Sequence, residues 1–575
     1  EQDLVARQAL TGLYIRKREA DSAAGAIEEM VALFGEHPRI ARALCETGDA
    51  YRKMRQFAEA EQCYRNVVEQ FGDNPYSIWS QKDLCTLYVQ TGDAGARDAA
   101  LDELVGRYAE HPELPLAICG VGDEAAAVRK DYENARGLYQ YVAANFASNP
   151  QAIWAQKNLC RLLVERVGDV DAAQVETDRL MRDFAENASL PAAVLEVADA
   201  WRNKDYIVEA RGLYERIVAD YPESEQAVWS QKNICTICAG KQDIAGLDGA
   251  LGRLTVEFGE RKGAPAAMCG IGDACAEAGL FDKAEEIYKH VVGAYAGDES
   301  VLWARKDLCL LRMRMGDAAG ADGAISQLAG DFAGDARLSQ HLCELADGWR
   351  RYNEEARART LYQHVIETWP GQTWAMWSAK NLIAMEIEES EDPDGPLESI
   401  PPPILETVDA MISGYKEQAE LPHAVFLIGE EYYGLGEKAR KVGARQWEAN
   451  FSKSVIVWGK VIEELATGPY TLMARDYRGG ACRAIGDYSA ALDDYEWLAE
   501  GCPDYERHWH ACFMVIRCYE DMAATRLLTN KEAAAGIIPA VERLIKGYPE
   551  WSERLKADRM IKRWEFMASL GEGVQ

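Results

Sequence analysis

No stretch of this 575-residue chain holds about 18 consecutive apolar residues, so no segment is expected to span a membrane. No segment alternates apolar and polar residues over a useful length, which argues against a half-buried β-sheet. Positive charge is short: 63 Lys and Arg stand against 94 Asp and Glu, a formal charge of −31. Nucleic acid needs clustered Lys and Arg for its phosphates and is not an expected partner. Basic or metal-bridged protein partners suit such a chain better. Also missing are G-x-S-x-G, H-E-x-x-H, a phosphate-binding loop and a dinucleotide fingerprint. Carboxylates are abundant but spread over helix faces, the ordinary place for solvated charge. The expectation is a non-enzyme with no cofactor, no bound metal and no small-molecule substrate.

What the chain has is a beat. Trp79, Trp154, Trp229, Trp303 and Trp377 are separated by 75, 75, 74 and 74 residues, and each opens a phrase of the form Trp-x-x-Lys-Asn/Asp. A second phrase keeps the same time: Tyr64, Tyr139, Tyr214, Tyr288 and Tyr362, each followed by Val or Ile three residues on. Self-similarity at fixed period means stacked units, each burying its apolar face against its neighbours.

Within residues 79–153, four runs carry apolar residues at spacings of three and four, separated by Thr91-Gly92-Asp93, Glu110-His111-Pro112 and Ser148-Asn149-Pro150. Four amphipathic helices per period follow, with each Gly closing one helix and the next Asp capping another. Five units fill residues 5–376, and a sixth starts at Trp377. The regular array is expected over 1–385. An acidic, proline-rich exposed loop is expected over 386–403. Divergent repeats are expected over 404–575, closing on an amphipathic, basic helix from Ser552 to Leu570.

Half a period is about 37 residues. The order Ala43-Leu44, Gly48, Tyr51, Phe57, Ala60, Tyr64, Val67, Pro75 resembles the tetratricopeptide helix-turn-helix unit of about 34 residues. Gly272, Phe281, Ala284, Tyr288 and Val291 repeat it, as do Trp201, Tyr206, Ala210, Tyr214 and Pro222. The resemblance implies an all-α, right-handed solenoid. It also implies that Lys82, Lys157, Lys232, Lys306 and Lys380 share the first helix of each unit, where Lys and Asn can clamp a peptide carboxylate in a concave groove. They recur only on every second hairpin, which favours a structural ladder in which Trp packs between units and Lys or Asn ties loops.

Fifteen cysteines is a high and odd number. Cys85–Cys119, Cys235–Cys269 and Cys309–Cys343 lie 34 residues apart on neighbouring helices and are placed to bridge. Yet Val194 stands opposite Cys160 and Thr11 opposite Cys45, an interchange that favours small buried core thiols. Cys235-x-x-Cys238 has no second pair at zinc spacing. His508 and Cys512 share a helical face and form the best metal candidate in a chain otherwise read as metal-free. His37 with His111, and His290 with His364, repeat by register, as packing residues do and active sites do not.

Three functional readings follow, the least favoured being an enzyme or metal protein with its site in residues 404–575, where His508 and Cys512 lie. The first is a scaffold that self-associates head to tail into an oligomer or fibre, using Val5, Leu10 and Tyr14 at one end and Met560 and Trp564 at the other. The second is a monomeric adaptor that grips a peptide or helix of another protein. Protein partners, possibly the chain itself, are expected in both. Glu1 rather than Met fits a processed product, which would favour the bacterial envelope or an extracellular site over the cytoplasm; the compartment stays open.

Overall fold

The computed structural model describes residues 2–17, 19–390, 400–548 and 551–570. Among them are thirty α-helices, two π-helical segments and no strand. They fall into two compact units, Glu1–Leu311 and Arg312–Gln575.

The first unit is a run of antiparallel helix pairs. The period analysed above appears as Ser77–Thr91 with Ala94–Arg107, then Leu114–Glu124 with Tyr132–Asn145. Its punctuation works as the residues dictate. Gly92 closes one helix in the left-handed conformation at φ 81°, and Asp93 accepts from Ala96 N to open the next. Asp131, Asp169 and Asp243 cap in the same way. The core is built from the residue before each repeat tryptophan: Ile78, Ile153 and Val228 are buried, each contributing roughly 1.5–3 kcal/mol. The tryptophans themselves are less enclosed than a residue packed between units would be. Trp79, Trp154 and Trp229 are half-buried, and Trp303 is 52% exposed.

The uneven spacing of the tryptophans has a structural cause. Asp49, Asp199, Asp273 and Asp347 each precede the N-cap of the next helix by seven positions, at Gln56, Tyr206, Leu280 and Glu354. Asp123 precedes Asp131 by eight. Trp79 and Trp229 stand fourteen positions before Asp93 and Asp243, but Trp154 stands fifteen before Asp169. Each extra residue is absorbed as a π-turn, Ala125–Arg129 and Leu163–Val167. The underlying period is therefore 74, with two single insertions.

The second unit continues with pairs such as Leu338–Arg351 with Glu355–Thr368 and Pro469–Ile485 with Tyr488–Gly501. The loop expected over 386–403 is shorter at both ends. Thr373–Ser390 remains helical and a new helix starts at Pro402, where proline suits the first turn; residues 391–399 lie outside the described residues. The single helix expected over 552–570 is broken into Trp551–Leu555 and Ala557–Ser569, with Lys556 left-handed at φ 50° between them.

All fifteen cysteines are free thiols, and fourteen are buried, with Cys502 intermediate. Burial pushes Cys85, Cys119, Cys160, Cys235, Cys269 and Cys343 up to about 12. They behave as small core residues rather than as nucleophiles.

Candidate polar row along the repeat helices

A polar arrangement recurs from repeat to repeat. It starts with a small residue followed by aspartate: Gly48-Asp49, Gly122-Asp123, Ala198-Asp199, Gly272-Asp273, and in the second unit Ala346-Asp347. The small residue is needed because a tyrosine of the paired helix lies against it. A Cβ on Gly48 would stand 2.6 Å from Tyr64, and one on Gly272 2.5 Å from Tyr288. The tyrosine hydroxyl donates to the aspartate at 2.8 Å for Tyr64–Asp49, 2.5 Å for Tyr139–Asp123, 2.5 Å for Tyr214–Asp199 and 2.6 Å for Tyr288–Asp273; Tyr362 does the same to Asp347. Burial, then the carboxylate, pushes these phenols far up, so they remain donors.

The Trp-x-x-Lys-Asn/Asp phrase of the following helix completes the row. Asn233 Nδ2 donates to Asp199 at 3.2 Å and its oxygen accepts from Arg202 at 2.9 Å; Asn381 Nδ2 donates to Asp347 at 2.9 Å. The lysines are mostly committed within the chain: Lys82 to Asp83 at 2.8 Å, Lys157 to Glu196 at 2.9 Å, Lys306 to Asp307 at 3.4 Å, Lys380 to Glu431 at 3.1 Å. Lys232 has no carboxylate within ion-pair distance. Burial, then Arg202, lowers its pKa. The glutamine of the phrase ties each helix pair together: Gln81, Gln156 and Gln231 donate to the carbonyls of Ala100, Glu176 and Ala250 at 2.8–2.9 Å.

Between the two π-turns lies a cleft of about 210 Å³, lined by Asp123, Ala126, Tyr139, Asn158, Glu165 and Arg166 among others. Arg161, also at its wall, is held by Glu165 and Glu196. Asn158 stands where Asn233 and Asn381 stand, but makes no such bond to Asp123. A larger cavity of about 790 Å³ in the second unit has Leu342, Trp349 and Leu361 in its lining, with the 2.9 Å Arg357–Asp322 ion pair beside them.

Among the described residues, one group has metal-like spacing: Cys45, Asp49 and Asp83. Its carboxylates are already satisfied, Asp83 by Lys82 and Asp49 by Arg52 and Tyr64. The sequence-level metal candidate comes together but is otherwise engaged. His508 Nδ1 meets Tyr548 Oη at 3.0 Å and Nε2 meets the Ala499 carbonyl at 3.0 Å, while Cys512 Sγ stands 3.7 Å from Nε2.

The terminal candidates divide. Val5 and Leu10 are exposed and Tyr14 is half-buried. Leu10 is 43% exposed where its register equivalent Leu84 is 3%, and Leu13 is 38% where Leu87 is 1%. At the other end Met560 is half-buried, and Trp564, a self-assembly candidate in the sequence, is only 5% exposed because it packs into the C-terminal core. Phe566 and Leu570 are the open apolar residues there. The row of aspartates went unread in the sequence, although the repeated small-Asp dipeptide marks it. So did Ala126, whose signal is the change of spacing from 75 to 74.

Residues 41–74 match the tetratricopeptide repeat model. No curated protein sequence matches. Among solved structures, Naa15/Naa10 bound to HypK-THB is similar at 13% identity, over 99% of this chain and 94% of that chain, with a TM-score of 0.33. The APC/C hetero-tetramer Cut9–Hcn1 is similar at 11% identity, over 96% and 95%, with a TM-score of 0.23. At such TM-scores the fold rests on the helix pairs themselves. The matched unit is a tetratricopeptide repeat, and the Gly48–Tyr64 contact and Tyr–Asp bond of that hairpin recur along the chain, an all-α array of tetratricopeptide-like helix pairs.

Proposed function

We propose that this protein-interaction scaffold acts as an adaptor, holding a segment of another protein along the polar row of its first unit. One observation carries the reading. The other four repeat lysines are each neutralised by a carboxylate of the chain, whereas Lys232 is left without one, beside Arg202. A partly desolvated lysine with no carboxylate of the chain in ion-pair contact suits a carboxylate or phosphate supplied from outside. Charge reversal tests it. Lys232→Glu should lose the protein partners recovered by proximity labelling with the unaltered chain, with particle size unchanged. An unchanged partner set overturns it.

A second reading, self-association, is favoured by the exposure of Leu10 and Leu13, whose register equivalents Leu84, Leu87, Leu159 and Leu162 are buried. Residues 551–570 carry five basic against three acidic side chains, net +2 in a chain of −31, so charge would attract that end to another copy. Light scattering over a hundredfold concentration range separates the readings. Growth that Leu10→Glu abolishes supports self-association, and a constant monomer rejects it.

A further inference from the structure

We propose that the cleft between the two π-turns is a receptor for a guanidinium group, an arginine side chain presented by a partner protein. That the arginine comes from a protein rests on the adaptor reading; the site itself does not.

The repeats supply their own template for this guest. Three residues after the aspartate of the row, Arg52 and Arg202 fold back onto Asp49 and Asp199 at 3.0 and 3.4 Å. At that place after Asp123 the chain has Ala126. Asp123 is exposed, receives one hydrogen bond, from Tyr139, and forms no ion pair. The cations nearest in register are spent elsewhere, Lys82 on Asp83 and Lys157 on Glu196. Asp273 is also followed by alanine, Ala276, but has the uncommitted Lys232 near it, and its helix is regular.

Only around Asp123 do three departures coincide. The arginine is replaced by alanine, the helix carrying it gains a residue as a π-turn, and the facing helix gains another. Together they open a cleft of about 210 Å³ where the missing side chain would lie. Asn158, whose carboxamide makes no hydrogen bond within the chain, lines it, and Arg161 is held by Glu165 and Glu196. The unbonded carboxylate oxygen of Asp123 and the amide oxygen of Asn158 are acceptors for a planar, multi-donor guanidinium. The overall charge of −31 brings such a guest in.

The test is titration calorimetry of the full chain with N-acetyl-arginine amide, and with N-acetyl-citrulline amide as the uncharged isostere. The expected result is one saturable site at which citrulline binds at least tenfold more weakly. Ala126→Arg, which returns the chain's own arginine, and Asp123→Asn should each weaken binding at least tenfold. Asp102→Asn, removing the same charge from an exposed helix face, should leave it unchanged. Circular dichroism melting checks folding, and if Ala126→Arg does not fold, Asp123→Asn alone decides. Absence of a saturable site, equal binding of citrulline, or unaltered binding in Asp123→Asn overturns the proposal. An unchanged partner set in Lys232→Glu with arginine-amide binding intact would overturn the adaptor reading and leave the site standing, so the two fail separately.

Discussion

Tyr214 donates its hydroxyl proton to Asp199 across 2.5 Å, and Asp199 also accepts from Asn233 of the next hairpin, so one carboxylate joins three helices. Removing the hydroxyl with Tyr214→Phe leaves Asp199 with Asn233 and Arg202 and should cost about 1 kcal/mol. Asp199→Ala should cost more, because it strands the phenol and the amide together. A double-mutant cycle by urea denaturation checks the coupling between the two sites. Strict additivity would mean that the bond does not couple the two helices of its hairpin energetically.

Gly48 faces Tyr64 with no room for a Cβ. Gly48→Val should therefore destabilise its hairpin by about 1–3 kcal/mol through overpacking. The effect should be local: amide hydrogen exchange should speed up over residues 40–70 well before it changes near residue 250.

Stability should fall in alkali. Six repeat thiols raised to about 12 by burial keep their protons in the folded chain, while the same thiols unfolded titrate near ~8.5. The folded state then binds more protons above that value, so this contribution is complete below about pH 8 and is lost as pH rises toward 12. Melting temperature measured between pH 7 and pH 11 should decline, and should decline less in a Cys85→Ala, Cys160→Ala variant.

Gln242 holds φ 55° at a position that Gly92, Gly168 and Gly316 fill in other repeats. Gln242→Gly should raise stability by up to about 1 kcal/mol, since the left-handed conformation penalises a Cβ by roughly that amount. Calorimetry showing a lower melting temperature would contradict this.

Deleting Ala127 removes the extra residue from the first π-turn and restores the seven-residue step seen after Asp49 and Asp199. The chain should keep its helix content and its melting temperature, because the regular turn already serves the neighbouring repeats. A large loss of ellipticity at 222 nm would show that the insertion is needed for folding.

The periodicity of Trp79 to Trp377 made the hairpins and their caps legible, because spacing and cap chemistry are local properties of the chain. Asp93 capping Ala96 is visible three residues away. The polar row was less legible because its members come from three helices: Asp199, Tyr214 and Asn233 span 34 positions. The burial of Trp564 depends on packing across the last helices, and an amphipathic pattern alone gave no way to tell an inward from an outward indole. The lysines showed where they repeat but not what they touch. Partners such as Glu196 and Glu431 occupy no fixed offset, standing 39 positions beyond Lys157 and 51 beyond Lys380.

Those offsets bear on how the chain is made. Lys157 finds Glu196 within 39 positions, and Tyr139 finds Asp123 within 16. A hairpin therefore needs only the next few dozen residues to complete its contacts, and the loops to be closed entropically are short. At a synthesis rate of roughly 5–20 residues per second, each would have its neighbour within several seconds of leaving the ribosome. The array can be laid down in order from its N-terminal end, with only its newest hairpin exposing an apolar face while the rest of the chain is still being translated.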